Sequence, residues 1–203
     1  MKTVEKGWEE FWHRWKRGRW EPETHDLLRA VLTPGDWFVD IGAWIGPVSL
    51  WALDLGAKVI AIEPDPVALV ELHRRLPAEA EIWEGAVATH SGTVTIQPHS
   101  SQFGDSMTKV CDDGLTVDCW TLPDILGGRR PSLAVMDVEG YELTLLPTVA
   151  PYLASLGTVL QVALHTELPD PEWFDGYGTV DMPESAREGN NPVGRSLAVV
   201  ALP

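Results

Sequence analysis

No apolar run in this chain approaches the ~20 residues needed to span a bilayer, which excludes a transmembrane helix. The opening M-K-T-V-E-K-G-W-E-E holds no apolar segment that would serve as a secretory signal, so the expected location is cytoplasmic. Cysteine is scarce. Cys111 and Cys119 are too few for a disulfide scaffold and read as free thiols. Six histidines are scattered without zinc spacing, and no internal repeat or low-complexity tract is present. Basic residues are also few, 15 against 30 acids, for a net charge of −15. Residues 1–20 carry +3 of that balance and the remainder −18. A body this acidic repels phosphate backbones, which disfavours a nucleic-acid substrate; only the N-terminal segment would attract an anionic partner. What is present, 44% hydrophobic and 22% charged residues over 203 positions, is the composition of one folded domain with a sizeable core.

Residues 37–66, W-F-V-D-I-G-A-W-I-G-P-V-S-L-W-A-L-D-L-G-A-K-V-I-A-I-E-P-D-P, are the most informative stretch. They read as a buried strand, a glycine turn, a helix, a second buried strand and an acidic stop. Gly42 and Gly46 let the backbone turn sharply and approach a ligand, since neither carries a Cβ. Glu63, 21 positions after Gly42, falls where the second strand of a βαβ unit ends, and a carboxylate there accepts both hydroxyls of a ribose. A dinucleotide fingerprint would place a glycine where Trp44 stands, so that a pyrophosphate meets bare backbone. The G-x-x-x-G spacing of Asp40-Ile41-Gly42-Ala43-Trp44-Ile45-Gly46 suits a nucleoside without phosphates, such as S-adenosylmethionine.

The periodicity predicts a helix over 4–17 with Trp8, Phe11, Trp12 and Trp15 on one face, and a second helix over 22–32. Core strands are expected at 37–41, 58–62, 81–83, 133–136 and 158–164, with helices at 47–55 and 66–76. This alternation makes a parallel sheet with crossover helices. Residues 92–97 and 116–120 read as extra extended pieces, with 100–108 a polar loop between them. Pro147 and Pro151 split 141–156 into two short helices. A turn at Gly189-Asn190-Asn191-Pro192 precedes a terminal strand expected to close the sheet edge as an antiparallel hairpin.

Three runs, Val39-Asp40-Ile41-Gly42-Ala43-Trp44-Ile45-Gly46, Ala61-Ile62-Glu63-Pro64-Asp65-Pro66 and Met136-Asp137-Val138-Glu139-Gly140-Tyr141-Glu142, resemble the FkbM family of S-adenosylmethionine-dependent methyltransferases. The W-T-L-P-D-I-L stretch from Trp120 adds to the likeness, which runs from about Asp36 to Leu164. The resemblance implies an α/β, Rossmann-like class I methyltransferase fold: a seven-stranded, mostly parallel sheet of order 3-2-1-4-5-7-6, its last strand antiparallel, with helices on both faces. It also implies O-methylation of hydroxyls on sugars or glycosylated metabolites. Residues 1–35 do not match and form a separate helical segment ahead of a methyltransferase domain over 36–203. Many members carry Glu at the end of the fifth strand, where this chain has His165.

Ligands of such sheets sit outside the carboxyl ends of the strands, at the switch point. Asp40 and the turn Gly42, Ala43, Trp44, Gly46 are expected to hold the methionine end. Glu63 would take the ribose, Pro64 and Asp65 border the adenine, and Gly85 and Ala86 meet its edge. The Trp44 side chain either contacts ligand or packs inside. Asp137 and His165 end adjacent strands, ~5 Å apart. His165, with an ordinary pKa of ~6.5, is the expected base, oriented by Asp137. The alternative is a divalent ion shared with Glu139 or Glu167. Glu142 reads as a helix-terminus acid without a catalytic role. The Trp8/Phe11/Trp12/Trp15 face is core packing, a lid over the acceptor, or a docking surface that makes a homodimer. The leading reading is thus an O-methyltransferase for a small-molecule or carbohydrate acceptor. The alternatives are methylation of an amine, protein or RNA group, and a non-catalytic module that binds S-adenosylmethionine.

Overall fold

Along each central strand, alternate side chains enter two different cores, and that alternation builds the three-layer body. In the computed structural model, which describes residues 2–18, 20–98, 104–165, 169–181 and 197–202, strands β1 (Trp37–Ile41), β2 (Lys58–Ile62) and β3 (Glu81–Trp83) pair in parallel. Helices α3 (Pro47–Asp54) and α4 (Pro66–Arg75) make the crossovers between them. On the other side of β1 lie β8 (Pro131–Met136) and β9 (Val159–Leu164), also parallel and joined by α6 (Glu142–Leu156). Strand β11 (Leu197–Leu202) runs antiparallel to β9 and carries β10 (Thr179–Asp181) at the edge. The order β10-β11-β9-β8-β1-β2-β3 is the one implied by the resemblance. The turn expected at 189–192 lies outside the described residues.

Val39, Ile41, Ile60, Ile62, Ala134, Met136, Leu160 and Val162 face α6 and the short α5 (Leu122–Leu126). Phe38, Val59, Ala61, Leu133, Val135 and Val159 face α3, α4 and α2 (Pro22–Val31). A separate four-stranded sheet, β4 (Ala86–Val87), β7 (Leu115–Trp120), β5 (Gly92–Gln97) and β6 (Lys109–Cys111), follows β3. Sequence periodicity foresaw β5 and β7 but not β4, β6 or β10, which are only two or three residues long. Part of the expected 100–108 loop, residues 100–103, lies outside the described residues. Cys111 and Cys119 are free.

One sequence expectation is overturned here, and one left open is decided. Residues 142–156 form one helix, not two. Pro147 and Pro151 are one turn apart on its exposed face, so the carbonyls they leave unpaired, on Leu143 and Pro147, face water instead of the core. The aromatic face of α1 (Lys2–Trp15) is consumed within the chain. Trp8, Phe11 and Trp12 are buried against Ile45 and Ala68, and Trp15 stacks on Trp51 at 5.5 Å. This is the core-packing reading of that stripe. No helix among the described residues is long and apolar enough to cross a membrane.

Candidate active site

A cavity of about 550 Å³ opens at the carboxyl ends of β1, β2, β8 and β9, roofed by α1 and by the chain leading into α2. That volume lies within the usual range for a small-molecule site. Its donor half is built by the turn after β1. Gly42 has φ +87°, and a Cβ there would lie 1.8 Å from the Asp137 carbonyl oxygen, so only glycine lets β1 pass this close to β8. The amides of Gly42 and Ala43 donate to the Ile62 carbonyl (3.0 Å each), and the Trp44 amide donates to Glu63 Oε2 (2.7 Å). Three successive amides are thereby committed to the end of β2. With these amides engaged, the turn makes a poor cradle for a diphosphate, which disfavours a dinucleotide more directly than the bulk of Trp44 does.

Glu63 is buried, and its second oxygen accepts from the Asp65 amide at 2.7 Å. Burial pushes its carboxyl up to about 8 despite those two amides. Asp40, also buried, accepts from Ser49 Oγ at 2.6 Å and is raised by burial to about 6. In its ionised form each oxygen of Glu63 keeps a lone pair for a further donor, as a ribose requires. Ala43, Pro64, Gly85 and Ala86 line the cavity as expected.

Gly46 and Asp65 do not line it. A Cβ on Gly46 would meet Leu72 Cδ1 at 2.8 Å, so this glycine serves the packing of α3 on α4. Asp65 is fully buried with both oxygens engaged. Oδ1 caps α4 through the amides of Val67 and Ala68, while Oδ2 takes the Gly104 amide (2.6 Å) and Thr108 Oγ1 (2.7 Å). Adenine contact is therefore not its role; it anchors the 104–108 loop. The Gly104 carbonyl in turn accepts from the indoles of both Trp8 (3.0 Å) and Trp44 (3.1 Å). Trp44 thus both lines the cavity and packs edge-on against Phe11, with ring centroids 4.7 Å apart.

The other half centres on His165. Its Nε2 lies 3.5 Å from Asp137 Oδ1 and 3.4 Å from Glu139 Oε2, and its Nδ1 lies 3.0 Å from Glu142 Oε1. Burial alone would favour neutral imidazole, but the Glu142 bond and the nearby Asp137 and Glu139 carboxylates outweigh it and raise the pKa. The surrounding carboxylates thus favour the protonated ring over the neutral imidazole that the sequence expectation of a His165 base requires. Asp137 is shifted upward as well, chiefly by burial, and its Oδ1 has no hydrogen-bond partner among the described residues. Glu142, set aside in the sequence, is fully buried and central. It accepts from the amides of Val138 (3.2 Å) and Gly140 (2.9 Å) as well as meeting His165. The spacing Glu139-Gly140-Tyr141-Glu142 was the available signal, since Glu139 takes φ +52° in the turn that Glu142 holds. Asp137, Glu142 and His165 each bring one donor atom within 4.8 Å of the others, a set that fits a divalent cation once the imidazole has given up its proton. Glu167 lies outside the described residues.

Sequence reasoning also missed Glu21 and Gln161, which line the same half. Glu21, Trp44 and Glu139, the non-glycine residues with positive φ among those described, all border this cavity.

Residues 40–155 match the family model described as the methyltransferase FkbM domain, more than half of the chain. The chain belongs to the FkbM methyltransferase family. Among solved structures, this FkbM-family chain is similar to the methyltransferase FkbM from Methylobacillus flagellatus KT, at 14% identity and TM-score 0.53 over 87% of this chain and 50% of that one. It is also similar to a TehB-like SAM-dependent methyltransferase from Corynebacterium glutamicum, at 13% identity and TM-score 0.54 over 99% and 97%. At these identities the likeness is one of fold. A ribosomal RNA small subunit methyltransferase A from Chlamydia trachomatis serovar L2 is 42% identical over 62 residues, 28% of this chain. The chain spans 22% of that relative's length. The family match covers the methyltransferase FkbM domain, and the fold is shared with S-adenosylmethionine-dependent methyltransferases.

Proposed function

We propose that this enzyme methylates a hydroxyl of a sugar or of a glycosylated metabolite. The observation that carries the reading is the polar, acceptor-rich lining beyond the donor half, where Glu21, Asp137, Gln161 and His165 converge. Bound S-adenosylmethionine supplies an electrophilic methyl group on a sulfonium. On this reading Glu63 binds the ribose hydroxyls through its free lone pairs, and Asp40 faces the cationic methionine end. Asp137, kept ionised by the charge of His165, takes the proton of the acceptor hydroxyl at Oδ1; once ionised, a buried carboxylate of raised pKa is a stronger base than an exposed one. His165, fixed through Nδ1 by Glu142, holds Asp137 in place and stabilises its charge. A divalent ion, if used, would be held by Asp137, Glu142 and His165; chelator treatment that abolished turnover but spared donor binding would support that arrangement.

The test is incubation with isotopically labelled S-adenosylmethionine and a panel of glycosides, followed by mass spectrometry. Labelled product with the wild type, lost in Asp137→Asn while donor binding persists, supports the proposal. A second reading is methylation of RNA, favoured by the 62-residue likeness to the ribosomal RNA methyltransferase. The net charge of −15 weighs against it. Label transferred to RNA and to no glycoside would establish that reading instead.

A further inference from the structure

The side chain at Gln161 is 6% exposed, it lines the cavity, and its Oε1 has no hydrogen-bond partner among the described residues. Leaving a buried amide oxygen unpaired costs about 1–3 kcal/mol, so a fold that retains one beside an open cavity calls for an explanation. Proton counting fixes which end of the amide is left without a partner. The Thr24 hydroxyl donates its single proton to Glu21 Oε2 (3.2 Å). Thr24 Oγ1 must therefore accept from Gln161, and Nε2 does so at 2.8 Å. That leaves Oε1 as an acceptor only. Thr24, itself buried, acts as the strap that sets this orientation.

Register gives the place. Gln161 pairs with Val135, and Val135 pairs with Asp40, so Gln161 lies on the same sheet face as Asp40, two strands away. Asp137 follows Val135 by two residues and shares that face. Two residues along one strand and one strand across place Gln161 ~8 Å from Asp137. Ala163, the next side chain on this face of β9, is small and leaves the space between Gln161 and His165 open. Glu21, held in the left-handed region with φ +40°, aims a second carboxylate into the same corner. The corner thus presents oxygen acceptors to whatever occupies it.

We propose that Gln161, oriented by Thr24 and backed by Glu21, is a specificity residue that accepts a hydrogen bond from a second hydroxyl of the acceptor, one sugar-ring span from the hydroxyl that reacts at Asp137. The proposal rests on the sugar reading above. It separates a polyol, which donates at both ends, from an acceptor with one hydroxyl or a ring oxygen at the far end.

The experiment titrates the full chain, saturated with S-adenosylhomocysteine, with methyl glycosides of common hexoses and each of their monodeoxy analogues. It follows tryptophan emission and confirms affinities by calorimetry. In the wild type, one deoxy position other than the reacting hydroxyl should weaken binding about tenfold. Gln161→Leu should weaken the parent glycoside by the same factor, make parent and that deoxy analogue equal, and leave affinity for S-adenosylhomocysteine within about twofold. Gln161→Met keeps the side-chain length without the amide and replaces the leucine variant if the latter melts early. Thr24→Val, which frees the amide to rotate, should partly erase the same discrimination. Equal binding of the parent glycoside by wild type and Gln161→Met would overturn the assignment of Gln161 and leave the sugar reading standing. A uniform loss against every analogue would overturn it as well, showing a packing role only. If the wild type binds S-adenosylhomocysteine but no glycoside, the sugar reading falls and takes this inference with it.

Discussion

At Gly42 an added methyl would collide with backbone, the Asp137 carbonyl at 1.8 Å, whereas at Gly46 it would meet only the tip of Leu72 at 2.8 Å. Both positions are left-handed, so alanine carries a conformational penalty of ~1–2 kcal/mol at either. Gly42→Ala adds a clash that cannot relax without parting β1 from β8, and should cost about 4 kcal/mol or prevent folding. Gly46→Ala should cost only ~1–2 kcal/mol, because a leucine can turn. Urea unfolding of the two variants checks this ranking; equal losses would contradict the geometry. The same scale holds the proton chemistry. Because burial raises Asp137, the pH dependence of kcat/KM should show a rising limb displaced well above the ordinary carboxyl range near 4. The His165 cation lowers the Asp137 pKa, so His165→Gln should move that limb to higher pH, and Asp137→Asn should cut the rate by roughly 10²–10⁴-fold. A limb that stays in place in His165→Gln would remove Asp137 from the role of base.

Helix α1 is the element whose role composition left open. Trp12 is buried, its indole donates to Glu71 Oε1 at 3.2 Å, and the Arg75 guanidinium lies 4.5 Å from its ring centre. Trp12→Ala should therefore cost about 3–5 kcal/mol, as for other buried aromatics. Trp12→Phe keeps most of the apolar area and loses the bond to Glu71, a further loss of only ~1 kcal/mol. Thermal unfolding of both distinguishes a packed helix from a loosely docked one: a change below ~1 kcal/mol in Trp12→Ala would mean that α1 comes away in solution. Through Trp8 and Trp44, both bonded to the Gly104 carbonyl, the helix is tied to the donor turn. A loosened α1 should weaken S-adenosylmethionine binding along with stability.

Across the whole molecule three buried carboxyls and one imidazole pull stability in one direction with pH. Asp40, at about 6, and Glu63, at about 8, bind protons more tightly folded than unfolded, and Asp137 is shifted the same way. Between the unfolded carboxyl values near 4 and these raised ones, the folded chain holds more protons, so stability falls as pH rises. His165 adds to the trend. The stabilisation from its imidazolium is complete below ~6.5 and is lost as pH climbs through its raised folded value. Asp36 and Glu81, lowered by their partners, oppose this only in acid, where their contribution is lost as pH falls. The ligand-free protein should therefore melt highest near pH ~5 and progressively lower toward pH ~9, by about 2–4 °C for each kcal/mol. Melting temperatures that rise from pH ~5 to ~8 would contradict the burial of these carboxyls.

Legible in the residues alone were the strand–helix alternation, the strand order expected of its family, the glycine turn and the acidic ends of β2 and β8. Each of these is written in local periodicity and in residues that a given backbone geometry demands. The sequence did not reveal that Asp65 turns away from the site, that Glu142 enters it, or that carboxylates crowd His165 and raise its pKa. Those facts depend on groups distant in the chain: Gly104 and Thr108 for Asp65, and three carboxylates around one imidazole for His165. Gln161, Thr24 and Glu21 were silent for the same reason. The Gln161–Thr24 contact spans 137 positions, and only the folded molecule sets a buried amide on β9 against a hydroxyl on α2.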